Sequence, residues 1–114
     1  EPENAAMLLG NEWSPHKIQG WTPDFIPGVL NKDIADEIVP VSDDASIANT
    51  LRLASEEGIF VGVSAGATLT AALTVAENAP EKSTFLVMLP DTGERYLSTP
   101  LFAGISEESD EDSL

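Results

Sequence analysis

Ile59-Phe60-Val61-Gly62-Val63-Ser64-Ala65-Gly66-Ala67 joins a run of β-formers to an alanine-rich stretch through a glycine-flanked serine. The hydrophobic pattern changes there from uninterrupted to helical, which marks a strand feeding a helix. A second uninterrupted run, Thr84-Phe85-Leu86-Val87-Met88-Leu89, repeats the first. Neither alternates, as expected of parallel strands buried on both faces. Between them the spacing predicts a helix over residues 65–78, with Leu69, Ala72, Leu73 and Ala76 facing the sheet and the many alanines admitting a close second layer. The unit is βαβ, and the class it implies is α/β, parallel strands with packed helices.

Upstream, Ser42-Asp43-Asp44 offers N-caps to a helix whose apolar positions Ile47, Leu51 and Ala54 fall at i, i+4 and i+7 and which ends at Gly58. Residues 30–38 carry helix formers, and residues 37–41 read as an edge strand or strand end because Pro40 cannot donate to a ladder. Residues 1–28 are rich in Pro, Gly, Asn and Trp and read as loop, apart from a short helix over residues 5–10. Downstream of Pro90 the chain turns and ends in Ser106-Glu107-Glu108-Ser109-Asp110-Glu111-Asp112, too polar to bury and expected to be disordered. The expected organisation is one unit over residues 1–103, incomplete alone, and an acidic tail over residues 104–114.

The chain has 114 residues and a net charge of -15, a sign that repels nucleic acid and anionic membrane surfaces. Five of its twenty acids lie in the tail, so the body is acidic as well. There is no cysteine, hence no disulfide or thiolate site, which fits a reducing, cytoplasmic setting or an organelle stroma. The longest apolar runs fall far short of the roughly 20 residues that span a bilayer. Glu1-Pro2-Glu3-Asn4 has neither an initiator methionine nor the features of a signal peptide, so the natural chain is expected to continue upstream.

The run Gly62-Val63-Ser64-Ala65-Gly66 spells G-x-S-x-G, the nucleophile elbow of α/β-hydrolases, which needs a histidine later in the chain. The only histidine, His16, lies upstream, so that reading fails. Two remain open. Ser64 either caps the helix that follows, or its hydroxyl, able to donate and accept, partners a heteroaromatic nitrogen at the carboxyl end of a strand, where open α/β sheets bind ligands. Gly62 and Gly66 allow close approach. The segment Pro15-His16-Lys17-Ile18-Gln19-Gly20-Trp21-Thr22-Pro23-Asp24-Phe25-Ile26-Pro27 either lines a small-molecule cleft, with backbone groups of Gln19 and Gly20 near the ligand, or is a surface loop anchored by Ile18, Trp21, Phe25 and Ile26. A lone His16 makes no metal site. Asp91 and Thr92, in the turn after the second strand, should lie beside Ser64, while Glu94 and Arg95 read as a local pair.

In this order, PHKIQG with FIP following, GVSAGA before an alanine-rich helix, and LPDTGERYLST resemble the C-terminal part of O-acetylserine sulfhydrylase, or cysteine synthase, in the fold-type II group of pyridoxal-phosphate enzymes. The resemblance covers nearly all of the chain except its tail. It implies the C-terminal part of the cofactor domain, with pyridoxal 5'-phosphate as cofactor and the Ser64 hydroxyl on its pyridine nitrogen. Pro90 and Asp91 join Ser64 as cofactor-binding positions, and Gln19 and Gly20 as substrate-cleft positions. The implied reaction replaces the acetate of O-acetylserine with sulfide to give cysteine. The lysine that holds the cofactor is expected upstream of Glu1, so no catalytic residue is assigned in this segment, and Lys17 does not match that position. Homodimerisation and docking of a serine acetyltransferase C-terminal peptide are also implied.

The sequence departs from the commoner sulfhydrylase pattern at Ala65, at Trp21-Thr22-Pro23-Asp24, where a glycine-rich run is usual, and at Asp91-Thr92. The S-A-G and P-D-T variants are similar to cystathionine β-synthase, which keeps that alternative open. A third reading is a non-catalytic half-domain acting as an interaction subunit.

Overall fold

The computed structural model describes residues 1–93. Two helices packed against each other form its centre: α1 (Asp43–Glu57) and α2 (Val63–Ala76). The start of α1 is where the cap residues place it. Ser42 stays extended and its Oγ accepts the Ala45 N–H at 3.0 Å, while Asp43 and Asp44 put negative charge at the positive end of the helix dipole. At the other end Gly58 takes a left-handed φ of 68°, and the Ile59 N–H reaches back to the Leu53 carbonyl at 2.9 Å.

The buried face of α1 differs from the expected one. Ser46, Thr50 and Leu53 face inward, and Ile47, Leu51 and Ala54 are only half-buried. Small side chains let α2 come close, and both hydroxyls are satisfied within α1: Ser46 Oγ donates to the Ser42 carbonyl and Thr50 Oγ1 to the Ser46 carbonyl, each at 2.7 Å. Asn49 Nδ2 then crosses to Thr70 Oγ1 of α2 at 2.8 Å. Gly66 sits in this contact. A Cβ built there would lie 1.9 Å from Thr50 Oγ1 and 2.2 Å from the Ser46 carbonyl, so the glycine serves helix packing and not, as expected, the approach of a ligand.

Helix α2 starts at Val63 and ends at Ala76, two residues ahead of the predicted helix at each end. Its buried part is the first turn and a half, residues 63–67, whereas Leu73 is half-exposed. The stripe expected to face a sheet has no sheet among the described residues. Residues 59–63 and 84–89 form no ladder there: Val61 makes one antiparallel bridge, to Thr92, and Phe85, Leu86 and Met88 are exposed. A strand needs neighbours to pair its backbone. The parallel relation expected of these runs occurs once among the described residues, between Pro2 and Val41, where Val41 N–H donates to the Glu1 carbonyl at 2.8 Å. It marks the edge segment predicted at residues 37–41.

Residues 30–38 turn instead of coiling into the predicted helix. Asn31 Oδ1 accepts the Asp33 N–H at 3.1 Å, a local bond that competes with helix formation. The short helix predicted over residues 5–10 is a pair of 3-10 turns, Glu3–Ala5 and Met7–Leu9, closed by Gly10 at φ 88°. Two apolar clusters flank α2: Ile18, Val41, Val63 and Ala67 on one side, and Leu53, Val61 and Ala65 with Leu89 against them on the other. No helix of the described residues is long and apolar enough to cross a membrane.

Candidate functional site

Gly62 is the N-cap of α2, extended at φ -86° and ψ 176°, with no side chain to cap with. Ser64 is therefore the second residue of the first turn and not its cap, so the capping reading is corrected. Its residue is 6% exposed, and no described residue shares a hydrogen bond with its hydroxyl. A serine hydroxyl both donates and accepts, and with no hydrogen bond to a described residue that of Ser64 is available to a ligand.

The neighbours of Ser64 in sequence belong to different clusters. Val63 packs with Ile18, and Ala65 with Val61 and Leu89. The first turn of α2 thus draws together the segment that holds Gln19 and Gly20 and the one that holds Pro90 and Asp91. The strand ends expected to be neighbours are so: Gly93 N–H donates to the Phe60 carbonyl at 3.1 Å beside the Val61–Thr92 bridge. Asp91 takes φ 60°, a left-handed conformation that aspartate tolerates better than most residues. A Cβ on Gly93 would strike the Phe60 ring at 2.7 Å, so only glycine fits that turn as it stands. Glu94, Arg95 and the acidic tail lie outside the described residues.

The loop carrying Gln19 and Gly20 hangs on Ile18, which is fully buried. Trp21 N–H donates to the Ile18 carbonyl at 3.1 Å and Gly20 has φ 88°, the positive value that the third position of a type II turn requires. Gln19 and Gly20 themselves are exposed, as is Lys17. His16 is occupied with its own loop: Nδ1 accepts the Ile18 N–H at 3.2 Å and Nε2 lies 3.0 Å from the Thr22 carbonyl. Trp13 Nε1–H donates to that same carbonyl at 3.0 Å. Thr22 holds φ 37°, uncommon for a β-branched residue. The part played by Trp13 and Thr22 carried no signal in the sequence, since contacts to a backbone carbonyl leave no residue pattern. No group of three or more His, Cys, Asp or Glu among the described residues is placed to hold a metal ion.

The start of α2, whose Ser64 hydroxyl has no hydrogen bond among the described residues, thus stands between a glycine turn and a Pro-Asp turn. The model of the pyridoxal-phosphate dependent enzyme family matches residues 1–91, and the chain belongs to that family. It is 57% identical over 111 residues to the O-ureido-L-serine synthase of Streptomyces lavendulae, covering 97% of this chain and 34% of the relative. The cysteine synthase of Staphylococcus aureus is 46% identical over 103 residues, 90% of this chain and 33% of the relative. Among solved structures, the cysteine synthase of Entamoeba histolytica superposes with a TM-score of 0.84 at 37% identity, over 99% of this chain and 33% of that one. The chain thus spans about a third of the length of the relatives it matches. The family's cofactor is pyridoxal 5'-phosphate. Ser64 is of a kind that fits it: an uncharged hydroxyl with no hydrogen bond among the described residues suits the nitrogen of a pyridine ring.

Proposed function

We propose that this chain is the C-terminal segment of the cofactor domain of a β-replacement enzyme that forms L-cysteine and acetate from O-acetylserine and sulfide. The observation that carries this reading is the convergence of three motif-bearing segments on one nearly buried serine, Ser64. In it the Ser64 hydroxyl holds the pyridine nitrogen, Pro90 and Asp91 border the ring, and Gln19 and Gly20 rim the substrate cleft. Bound pyridoxal phosphate supplies an electron sink for loss of the β-substituent. A neutral hydroxyl, unlike a carboxylate, does not keep the ring nitrogen protonated, and that moderates the sink and favours elimination over wider delocalisation. The lysine that holds the cofactor is assigned to sequence outside this segment, and the segment alone is inactive.

The enzyme is proposed to be a cytoplasmic homodimer whose cleft admits the C-terminal peptide of a serine acetyltransferase. The division into a unit over residues 1–103 and a tail over residues 104–114 is part of the same proposal. A second reading is favoured by the 57% identity to an O-ureido-L-serine synthase. In it the oxygen of hydroxyurea replaces the acetate, giving O-ureido-L-serine. Assay of the full-length protein with O-acetylserine and either sulfide or hydroxyurea, and with serine and homocysteine, with amino-acid products quantified, decides between them. Cysteine alone supports the first reading and predominant O-ureido-L-serine the second. Product only from serine with homocysteine moves the assignment to a cystathionine β-synthase-like enzyme, and no product with any of these pairs leaves an interaction subunit.

A further inference from the structure

We infer that Trp13 and His16 are positioning residues which, through the Thr22 carbonyl, set the nucleophile that the cleft beside Ser64 accepts; this rests on the β-replacement reading above. The backbone N–H of Ile18 can only donate, so His16 Nδ1 is its acceptor at 3.2 Å. The neutral ring then carries its proton on Nε2, which donates to the Thr22 carbonyl at 3.0 Å. Trp13 Nε1–H donates to the same oxygen at 3.0 Å, and the two rings meet edge to face with centroids 6.5 Å apart.

Thr22 needs this clamp. It is β-branched, precedes Pro23 and holds φ 37°, a backbone state that persists only where its surroundings impose it. On its other side the segment borders a cavity of about 190 Å³, lined by Met7, Leu8, Phe25 and Ile26 among others, so close packing does not impose it there. Between the clamp at Thr22 and the anchor at Ile18 stands the Gln19–Gly20 turn, whose own residues are exposed. Ile18 packs with Val63, the residue before Ser64. The backbone of residues 19–21, beside the cluster that holds Val63, is thus fixed from both ends, one of them being the shared carbonyl. Sulfide is small and needs few directed contacts, whereas hydroxyurea is larger and must have its amide groups hydrogen-bonded. The placement of this backbone decides which of them the cleft suits.

The test uses the full-length protein with its cofactor bound, and steady-state kinetics with saturating O-acetylserine and either sulfide or hydroxyurea as the varied substrate. Trp13→Phe keeps an aromatic ring and removes only the donor; His16→Ala removes the other donor, and His16→Gln restores one. The ratio of kcat/KM for the two nucleophiles is expected to shift by about fivefold in Trp13→Phe, the size of one lost hydrogen bond. That shift is expected in KM more than in kcat, to recur in His16→Ala, and to be partly reversed in His16→Gln, with the cofactor absorbance unchanged. A ratio within twofold of the wild type in Trp13→Phe, or equal loss with both nucleophiles, overturns the inference while leaving the β-replacement reading intact. Wild-type protein that turns over neither nucleophile overturns both. Trp13 lies at the surface, so Trp13→Phe decides the matter should His16→Ala fail to fold.

Discussion

Between α1 and α2 the chain is held by side chains that fill space, whereas across residues 13–22 it is held by hydrogen bonds aimed at backbone carbonyls. The helix contact has no room for a side chain at Gly66, and the hydroxyls of Ser46 and Thr50 are satisfied by carbonyls one turn back, with Asn49 and Thr70 adding a hydrogen bond across it. The loop has one fully buried anchor, Ile18, with Trp21 packed beside it, and is otherwise held by hydrogen bonds to backbone carbonyls, those of His16 and Trp13 to Thr22 among them. One region is therefore specified by volume and the other by direction. Ser64 stands where they meet, with its backbone in the first and its neighbour Val63 packed against the second.

The largest effect that can break this contrast is on volume. Gly66→Ala puts a methyl where Thr50 Oγ1 and the Ser46 carbonyl stand, and is expected to cost about 3 kcal/mol in urea unfolding of the full-length protein. A loss under about 1 kcal/mol means that the helices part easily and the contact is not specified by space. Ser64→Ala asks whether the meeting point belongs to the scaffold or to the site. It is expected to lower kcat/KM about tenfold while changing unfolding free energy by under about 0.5 kcal/mol, since the hydroxyl has no described protein partner. Loss of fold with intact specific activity reverses that assignment. The smallest effect sharpens the contrast from the helix side: Ser42→Ala removes the cap of α1 and is expected to cost about 1 kcal/mol without altering turnover. Reduced turnover at unchanged stability would tie the cap to the site.

Features with a local cause were legible in the sequence. Ser42 and Gly58 mark the ends of α1 because capping and left-handed termination are decided by one or two residues. The nearness of Ser64 to the turn after residue 89 follows from the rule that α/β ligands lie at strand ends, and the cluster around Ala65 agrees with it, whereas the place of residues 18–20 beside Val63 is implied only by the family resemblance. The buried face of α1 was not legible, because Ser46 and Thr50 look polar until their bonds to carbonyls four residues back are seen. Gly66 sits in a motif that suggests a ligand, yet its neighbour is another helix. The apolar runs at residues 59–63 and 84–89 have the pattern of strands, but pairing depends on partners that such a run does not itself specify.

The back-bonded hydroxyls at the helix contact have a consequence for how the protein responds to ionic strength. The whole chain carries -15, so its surface charges repel one another more strongly as salt is withdrawn and the Debye length grows. At Gly66 the surfaces that meet are a serine carbonyl, a threonine hydroxyl and backbone, with no ionised group among them. Dilution of the buffer can strain the periphery of this acidic molecule while the joint between its two helices is left indifferent to it.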